Sequence, residues 1–193
     1  MTITAAIALG GNLPYENLTP EQNITRALQR CRQKDIHVLR VSSIWRTPCF
    51  PVGLGPDFAN AAAVVEFDGT AQELLAICHE VEAAFGRTRD ARWSARTMDV
   101  DLLLVGNLVS PDTDTLRRWI ETPNEVAEQP APDVMLLPHP RIQDRAFVLV
   151  PLAEVAPDWT HPILGVTVDE LKNALPSEEI EAIQRISGQN APN

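Results

Sequence analysis

The sequence predicts an α+β domain built on an antiparallel sheet, and three features support this prediction. Two segments begin with helix-start signals: Thr19-Pro20 with Gln22, and Thr70 with Glu73. Both match the capping-box arrangement. Apolar runs typical of strands lie before, between and after these segments. Glycines and prolines mark the boundaries. The order strand–helix–strand–strand–helix–strand is the split βαβ pattern of ferredoxin-like folds, with the helices on one main face of the sheet.

The predicted elements follow this order through the first half of the chain. The predicted strands are 2–9, 37–46, 57–67 and 99–105, and the predicted helices are 20–34 and 71–85. The first strand ends at Gly10 and Gly11, where backbone can approach a ligand closely. Residues 48–56 contain three prolines and two glycines and form no regular element. This loop is either packed on the surface or closes over a ligand.

The second half is predicted to add peripheral elements to the same domain, which spans residues 1–193. Residues 110–133 are acidic and rich in proline, and we interpret them as an insertion with a short helix at 116–120. Residues 147–156 form a helical segment on the core. Two peripheral C-terminal helices are expected at 168–174 and 177–186, and the tail 187–193 is expected to be disordered.

The charge of the chain excludes some partners. The net charge is −10, so the protein should not attract nucleic acid or an anionic membrane surface. Its three cysteines stand at no metal-ligand spacing, which favours free thiols in a reducing cytoplasm. The N-terminus has no basic segment, and no apolar run approaches the length of a membrane span. We therefore expect a cytoplasmic protein without a targeting signal.

The most informative stretch is 86–104, where four arginines precede two aspartates. Alternation in a strand places Asp99 and Asp101 on one face, about 7 Å apart, with Met98 and Val100 on the buried face. Adjacent carboxylates suit a Mg²⁺ ion, and guanidinium groups suit phosphate oxygens. The alternatives are a solvated strand face and surface ion pairs. The pattern favours a polyphosphate–Mg²⁺ site.

Several short motifs in order resemble one family, 6-hydroxymethyl-7,8-dihydropterin pyrophosphokinase. They are Gly10-Gly11-Asn12-Leu13, Ser42 to Pro48, Phe58 to Ala61, Gly86-Arg87, Arg92-Trp93, Arg96 to Asp101, and Pro138 to Arg141. The resemblance implies transfer of pyrophosphate from ATP to the pterin hydroxymethyl group, which releases AMP, in folate biosynthesis. It also implies two Mg²⁺ ions and a protein that is a monomer or a weak dimer.

The resemblance assigns roles to residues of this chain. It implies that Arg87, Arg96, Asp99 and Asp101 are catalytic and that the two aspartates bind the metal ions. The implied ATP contacts are Glu82, Arg87, Arg92, Arg96, His139 and Arg145. The implied pterin contacts are Thr47, Pro48, Phe58, Asn60, Trp93 and Phe147, with the two phenylalanines sandwiching the ring. The resemblance further implies that the arginine-rich segment is a mobile catalytic loop.

The sequence departs from the family pattern at one point in the arginine-rich segment, and two alternative functions remain to be considered. Ser94-Ala95 stand where the family usually has Gly-Pro, which should make the loop more flexible and its closure more costly. A non-catalytic nucleotide-binding regulator on the same scaffold is the main alternative function, and the intact aspartate pair argues against it. A nucleic-acid binder is disfavoured by the net charge.

Overall fold

The structure is a computed structural model that describes residues 1–49, 55–86, 96–122 and 134–190. Its strands are β1 (Thr2–Gly11), β2 (His37–Val41), β3 (Ser43–Thr47), β4 (Phe58–Asp68), β5 (Asp99–Val105) and β6 (Gln184–Asn190). Its helices are α1 (Pro20–Gln33), α2 (Ala71–Ala83), α3 (Thr113–Glu121), α4 (Ala146–Val155), α5 (Val168–Asn173) and α6 (Ser177–Glu181). No helix among the described residues is long and apolar enough to cross a membrane.

The sheet is antiparallel throughout, with strand order β5-β1-β4-β3-β6, and β2 also pairs with β4. The α+β, ferredoxin-like prediction is confirmed. The predicted strand 37–46 is divided into β2 and β3, which pair with successive parts of β4. Ser42 stands at the division: its N–H donates to the Ala62 carbonyl at 2.9 Å, and its hydroxyl accepts from the Ala62 N–H at 2.9 Å. Ser42 thereby bridges the interruption.

Both predicted capping boxes are present. Thr19 and Thr70 accept hydrogen bonds from the third backbone N–H of α1 and α2, and Gln22 and Glu73 reciprocate. Gly86 follows α2 with φ of 70°, a conformation that favours glycine over residues with a side chain. The chain therefore leaves α2 at a fixed point, just before the arginine-rich segment.

Alternation along the strands divides the core between the two faces of the sheet. Ile7 and Leu9 of β1 pack on the face that α1 and α2 cover. Ala6 of β1 packs on the opposite face with residues of α4 and α5. The face beneath α4 is the one that carries the polar residues described below.

The C-terminal segment differs from the prediction. The helix expected over 177–186 ends at Glu181, and residues 184–190 form β6, which pairs with β3 through Trp45↔Arg185 and Arg46↔Gln184. Residues 187–190 of the predicted tail belong to β6, and 191–193 lie outside the described residues. The physical reason is that β3 offers backbone groups for pairing, a tertiary effect that overrides local helix preference.

The insertion is described only in part. The predicted short helix is α3, held by a fully buried Leu116. Ser110 and Leu137 exchange backbone hydrogen bonds of 2.8 and 3.1 Å, so the segment leaves and rejoins the domain at one point. Residues 123–133 lie outside the described residues.

Candidate active site

A row of paired residues crosses the sheet at one level. Gly10 of β1 pairs with Asp99 of β5 on one side and with Asn60 of β4 on the other, and Asn60 pairs with Trp45 of β3. Neighbouring strands are about 4.8 Å apart, so the backbones of Asp99 and Asn60 are about 10 Å apart. Paired residues point to the same face, which here is the α4 face. The register thus brings together two sequence-predicted site residues from distant parts of the chain.

Gly10 leaves the space that the Asn60 amide occupies. A Cβ atom at Gly10 would lie 2.3 Å from Asn60 Oδ1, closer than any ordinary contact. The amide is fixed from the other side because Asn60 Nδ2 donates to Thr47 Oγ1 at 2.7 Å. Asn60 and Thr47 are both buried. This pair is a rigid polar edge beside the glycine.

The aspartates occupy the predicted face. Met98 and Val100 are buried in the core, whereas Asp99 and Asp101 are half-buried on the opposite side of β5. Arg96 Nη1 lies 2.5 Å from Asp99 Oδ2. The backbone N–H of Val100, between the two aspartates, donates to Glu82 Oε1 at 2.8 Å. Glu82 is 3% exposed, so it supports the acidic strand from inside the core.

The donor set fits Mg²⁺. Among the described residues no group of three or more histidine, cysteine or carboxylate side chains could hold a metal ion on its own. Mg²⁺ is usually bound by one or two carboxylates, and substrate phosphates and water complete the octahedron. Asp99 and Asp101 are two such carboxylates, so they fit an ion that arrives with a polyphosphate.

His139 and Arg145 stand beside the aspartates. Burial, followed by the charge of Arg145, lowers the pKa of His139 to about 3. His139 Nδ1 accepts the Arg141 N–H at 3.1 Å, so the proton of the neutral ring lies on Nε2. Burial lowers the pKa of Arg145, and the carboxylates of Asp101 and Asp99 oppose that effect. Since guanidinium groups stay protonated, the site combines a fixed cation with an uncharged N–H donor.

The two phenylalanines predicted to bind the ring lie on different elements. Phe58 begins β4 and pairs with Thr47. Phe147 lies in the first turn of α4 and is 41% exposed, and the Arg145 Cζ atom is 5.7 Å from its ring centroid. Pro48 follows Thr47 and is exposed. Phe58 and Pro48 lie at the Asn60 end of the row, and Ala146, the neighbour of Phe147, belongs to a buried cluster against which Trp45 packs.

Buried polar groups hold the ends of the two segments that lie outside the described residues, 50–54 and 87–95. Arg96 N donates to Asn12 Oδ1 at 2.8 Å, and Asn12 Nδ2 donates to the Pro56 carbonyl at 3.1 Å. Thr97 Oγ1 donates to the Phe85 carbonyl at 2.7 Å. Asn12 belongs to the Gly10-Gly11-Asn12-Leu13 motif, but no role of its own is predicted for it from the sequence. Its position directly after two glycines is the signal that could have indicated one. The predicted site residues Arg87, Arg92 and Trp93 lie outside the described residues.

Two aspartates, two arginines and a neutral histidine at one end of a ferredoxin-like sheet have the chemistry to bind a phosphate-containing group. A family model described as 7,8-dihydro-6-hydroxymethylpterin-pyrophosphokinase (HPPK) matches residues 6–157. The chain therefore belongs to the HPPK family.

Sequence identity to named pyrophosphokinases supports membership in the HPPK family. The chain is 33% identical over 169 residues to a 2-amino-4-hydroxy-6-hydroxymethyldihydropteridine pyrophosphokinase from Synechocystis, covering 86% of this chain and 73% of the relative. It is 35% identical over 150 residues to the enzyme of that name from Methylorubrum extorquens, covering 77% of this chain and 80% of the relative.

Solved structures show the same fold. The crystal structure of wild-type Plasmodium falciparum HPPK-DHPS superposes with a TM-score of 0.66 at 12% identity and covers 96% of this chain. This chain spans 48% of that one, about half its length. At this identity the likeness concerns the fold alone.

Proposed function

We propose that this protein transfers a pyrophosphoryl group from ATP to the hydroxymethyl oxygen of 6-hydroxymethyl-7,8-dihydropterin, giving AMP and the pterin diphosphate in folate biosynthesis. The observation that carries the proposal is the Asp99–Gly10–Asn60 row, which sets an acidic pair and a fixed amide on one face of the sheet. The spacing of about 10 Å suits a polyphosphate at one end and a flat heterocycle at the other. The family match supports the same chemistry.

On the nucleotide side, Asp99 and Asp101 would hold two Mg²⁺ ions together with ATP phosphates. Such ions neutralise phosphate charge and orient the oxygens for in-line transfer. Arg96 lies at the same place through its contact with Asp99. Arg145 adds a positive charge, and His139 donates a hydrogen bond through Nε2 without adding charge. These groups stabilise charge that develops on phosphate oxygens.

On the acceptor side, Asn60 and Thr47 present amide and hydroxyl groups to the pterin edge. Phe58 and Phe147 supply ring faces, and backbone groups near Pro48 complete the edge contacts. A site whose polar groups are already oriented rejects a heterocycle that leaves them unpaired. The pterin contact of Trp93 and the ATP contacts of Arg87 and Arg92 follow from the family resemblance. The resemblance also assigns Glu82 to the ATP site, and its side chain, which is 3% exposed and accepts the Val100 N–H, would act there by holding β5 in place.

At the phosphorus the reaction forms one bond and breaks one, and the acceptor hydroxyl loses its proton. The pterin hydroxymethyl oxygen attacks the β-phosphorus of ATP, and the bond from that phosphorus to the oxygen shared with the α-phosphate breaks. AMP leaves with the bonding electron pair, and the hydroxyl proton is released. Arg96 and Arg87 would act mainly when the leaving oxygen becomes negative, so their loss should lower turnover more than substrate affinity.

The direct test is AMP formation from ATP, Mg²⁺ and the pterin. Asp99→Asn and Asp101→Asn should each abolish turnover and leave the unfolding curve nearly unchanged. Asp114→Asn on the exposed first turn of α3 is the charge-matched control and should keep full activity. Folded wild-type protein that binds ATP but forms no AMP would instead favour a nucleotide-binding regulator.

The proposal also covers the oligomeric state and the cellular compartment of the protein. We expect a monomer, with weak dimerisation at most, that acts in the cytoplasm. Cys31, Cys49 and Cys78 are all buried and form no disulfide, which is consistent with a reducing compartment. Sedimentation of the purified protein at several concentrations measures the oligomeric state.

A further inference from the structure

Residues that follow the family match pack against the elements of the acceptor side. Ile183 forms a buried cluster with Ala146 and Val150 of α4, and Trp45 of β3 packs against the same cluster. Ile183 lies directly before β6, which pairs with β3 at Trp45↔Arg185. The family model ends at residue 157, so Ile183 lies outside the matched region.

This cluster reaches both walls of the acceptor side. Ala146 is the immediate neighbour of Phe147 in the first turn of α4. Trp45 pairs with Asn60, and it precedes Thr47 by two residues on the same face of β3. Since protein interiors are close-packed, the volume of Ile183 contributes to the separation of α4 from β3.

We propose that Ile183 is a positioning residue for the acceptor. Its side chain holds the first turn of α4 at the distance from β3 that lets Phe147 stack on a pterin whose edge is bound by Asn60 and Thr47. This inference rests on the proposed function, because it assumes that the pterin occupies this end of the row.

The nucleotide side is held by other contacts. The backbone N–H of His139 donates to the Leu103 carbonyl at 2.7 Å, which ties His139 to β5. Arg145 directly precedes Ala146 at the start of α4, but the carboxylates of Asp101 and Asp99 attract its guanidinium group towards β5. β5 lies at the opposite edge of the sheet from β6. Loss of volume at Ile183 should therefore weaken binding of the acceptor and spare binding of the nucleotide.

The test compares Ile183→Ala with Leu171→Ala. The two residues are equally buried, at 8% and 9% exposure, but Leu171 lies on α5 in the cluster that does not include Ala146 or Trp45. Titration calorimetry measures binding of a non-hydrolysable ATP analogue with Mg²⁺, and then binding of the pterin. Loss of one ring contact corresponds to about 2- to 13-fold weaker pterin binding.

We expect that loss in Ile183→Ala, with unchanged affinity for the nucleotide analogue, and unchanged pterin affinity in Leu171→Ala. Equal pterin affinity in both variants, or parallel losses of nucleotide and pterin binding in Ile183→Ala, would overturn the assignment. If Ile183→Ala does not fold, Ile183→Val should show a smaller shift in the same direction, and an unshifted Ile183→Val overturns it equally. Wild-type protein that binds no pterin would refute the proposed function itself. If the wild-type protein binds the pterin and Ile183→Ala binds it with the same affinity, only the role of Ile183 is refuted.

Discussion

Replacing Gly10 by alanine should damage acceptor recognition selectively. The new Cβ atom would lie 2.3 Å from Asn60 Oδ1, whereas ordinary contacts begin at 3.4 Å. β1 is paired on both sides, so its backbone cannot recede, and the Asn60 amide must move by about 1 Å or rotate. Either movement disrupts the hydrogen bond to Thr47 Oγ1 and misaligns the amide for the pterin edge.

The expected magnitude follows from this displacement. A misplacement of about 1 Å in a positioning group costs on the order of 100-fold in rate, or about 2.7 kcal/mol of transition-state stabilisation. Stability should change little, because a lost hydrogen bond costs about 0.5–1.5 kcal/mol and the change from glycine to alanine returns about 0.4–1 kcal/mol through the unfolded chain. The variant should therefore fold normally and use the pterin poorly.

The assay is AMP release at saturating ATP with varied pterin, together with calorimetry of the ATP analogue. We expect kcat/KM for the pterin to fall about 100-fold and nucleotide affinity to stay unchanged. A Gly10→Ala/Asn60→Ala double variant should be no worse than Asn60→Ala alone, because the added methyl then has no amide to displace. Near-normal pterin kinetics in Gly10→Ala, or additive losses in the double variant, would refute the reasoning.

Two further predictions concern stability. Asn12→Ala should lower the free energy of unfolding, measured in urea, by about 2 kcal/mol, because it removes the hydrogen bonds to Arg96 and Pro56 and leaves buried groups unpaired. The control is Asn17→Ala, at an exposed position. Equal free energies of unfolding in the two variants would contradict the role of Asn12. Because the pKa of folded His139 is about 3 and its ordinary value is 6.5, the unfolded chain takes up a proton first as the pH falls. The free energy of unfolding should therefore decrease as the pH falls from 6.5 towards 3. His139→Asn should reduce this pH dependence by up to about 1.4 kcal/mol per pH unit. Urea titrations from pH 4 to 7 that give the same pH dependence for both proteins would argue against the role of His139.

Features that depend on neighbours in the chain were predictable from the sequence. The capping boxes at Thr19 and Thr70 require only residues within one helical turn, and both are confirmed. The outward face of Asp99 and Asp101 follows from alternation within one strand, and the structure has Met98 and Val100 buried on the other side.

Features that depend on pairing between distant segments were not predictable. The alignment of Gly10 with Asn60 and Asp99 is set by the register of three strands, which no local pattern encodes. The helix predicted over 177–186 ends at Glu181, because residues 184–186 pair with β3 from a distant part of the chain. Buried asparagines such as Asn12 and Asn23 look like loop or surface residues until their carbonyl and N–H partners are known.

The pairing of β6 with β3 determines which strand forms this edge of the sheet. In the described part of the chain, β3 has β4 on one side and β6 on the other. Without β6, a row of unpaired N–H and C=O groups would face the solvent, and such a row is a template for edge-to-edge association. The family-matched residues 6–157 do not supply this cover. β6 covers this row, and the outer side of β6 takes its place as the edge of the sheet.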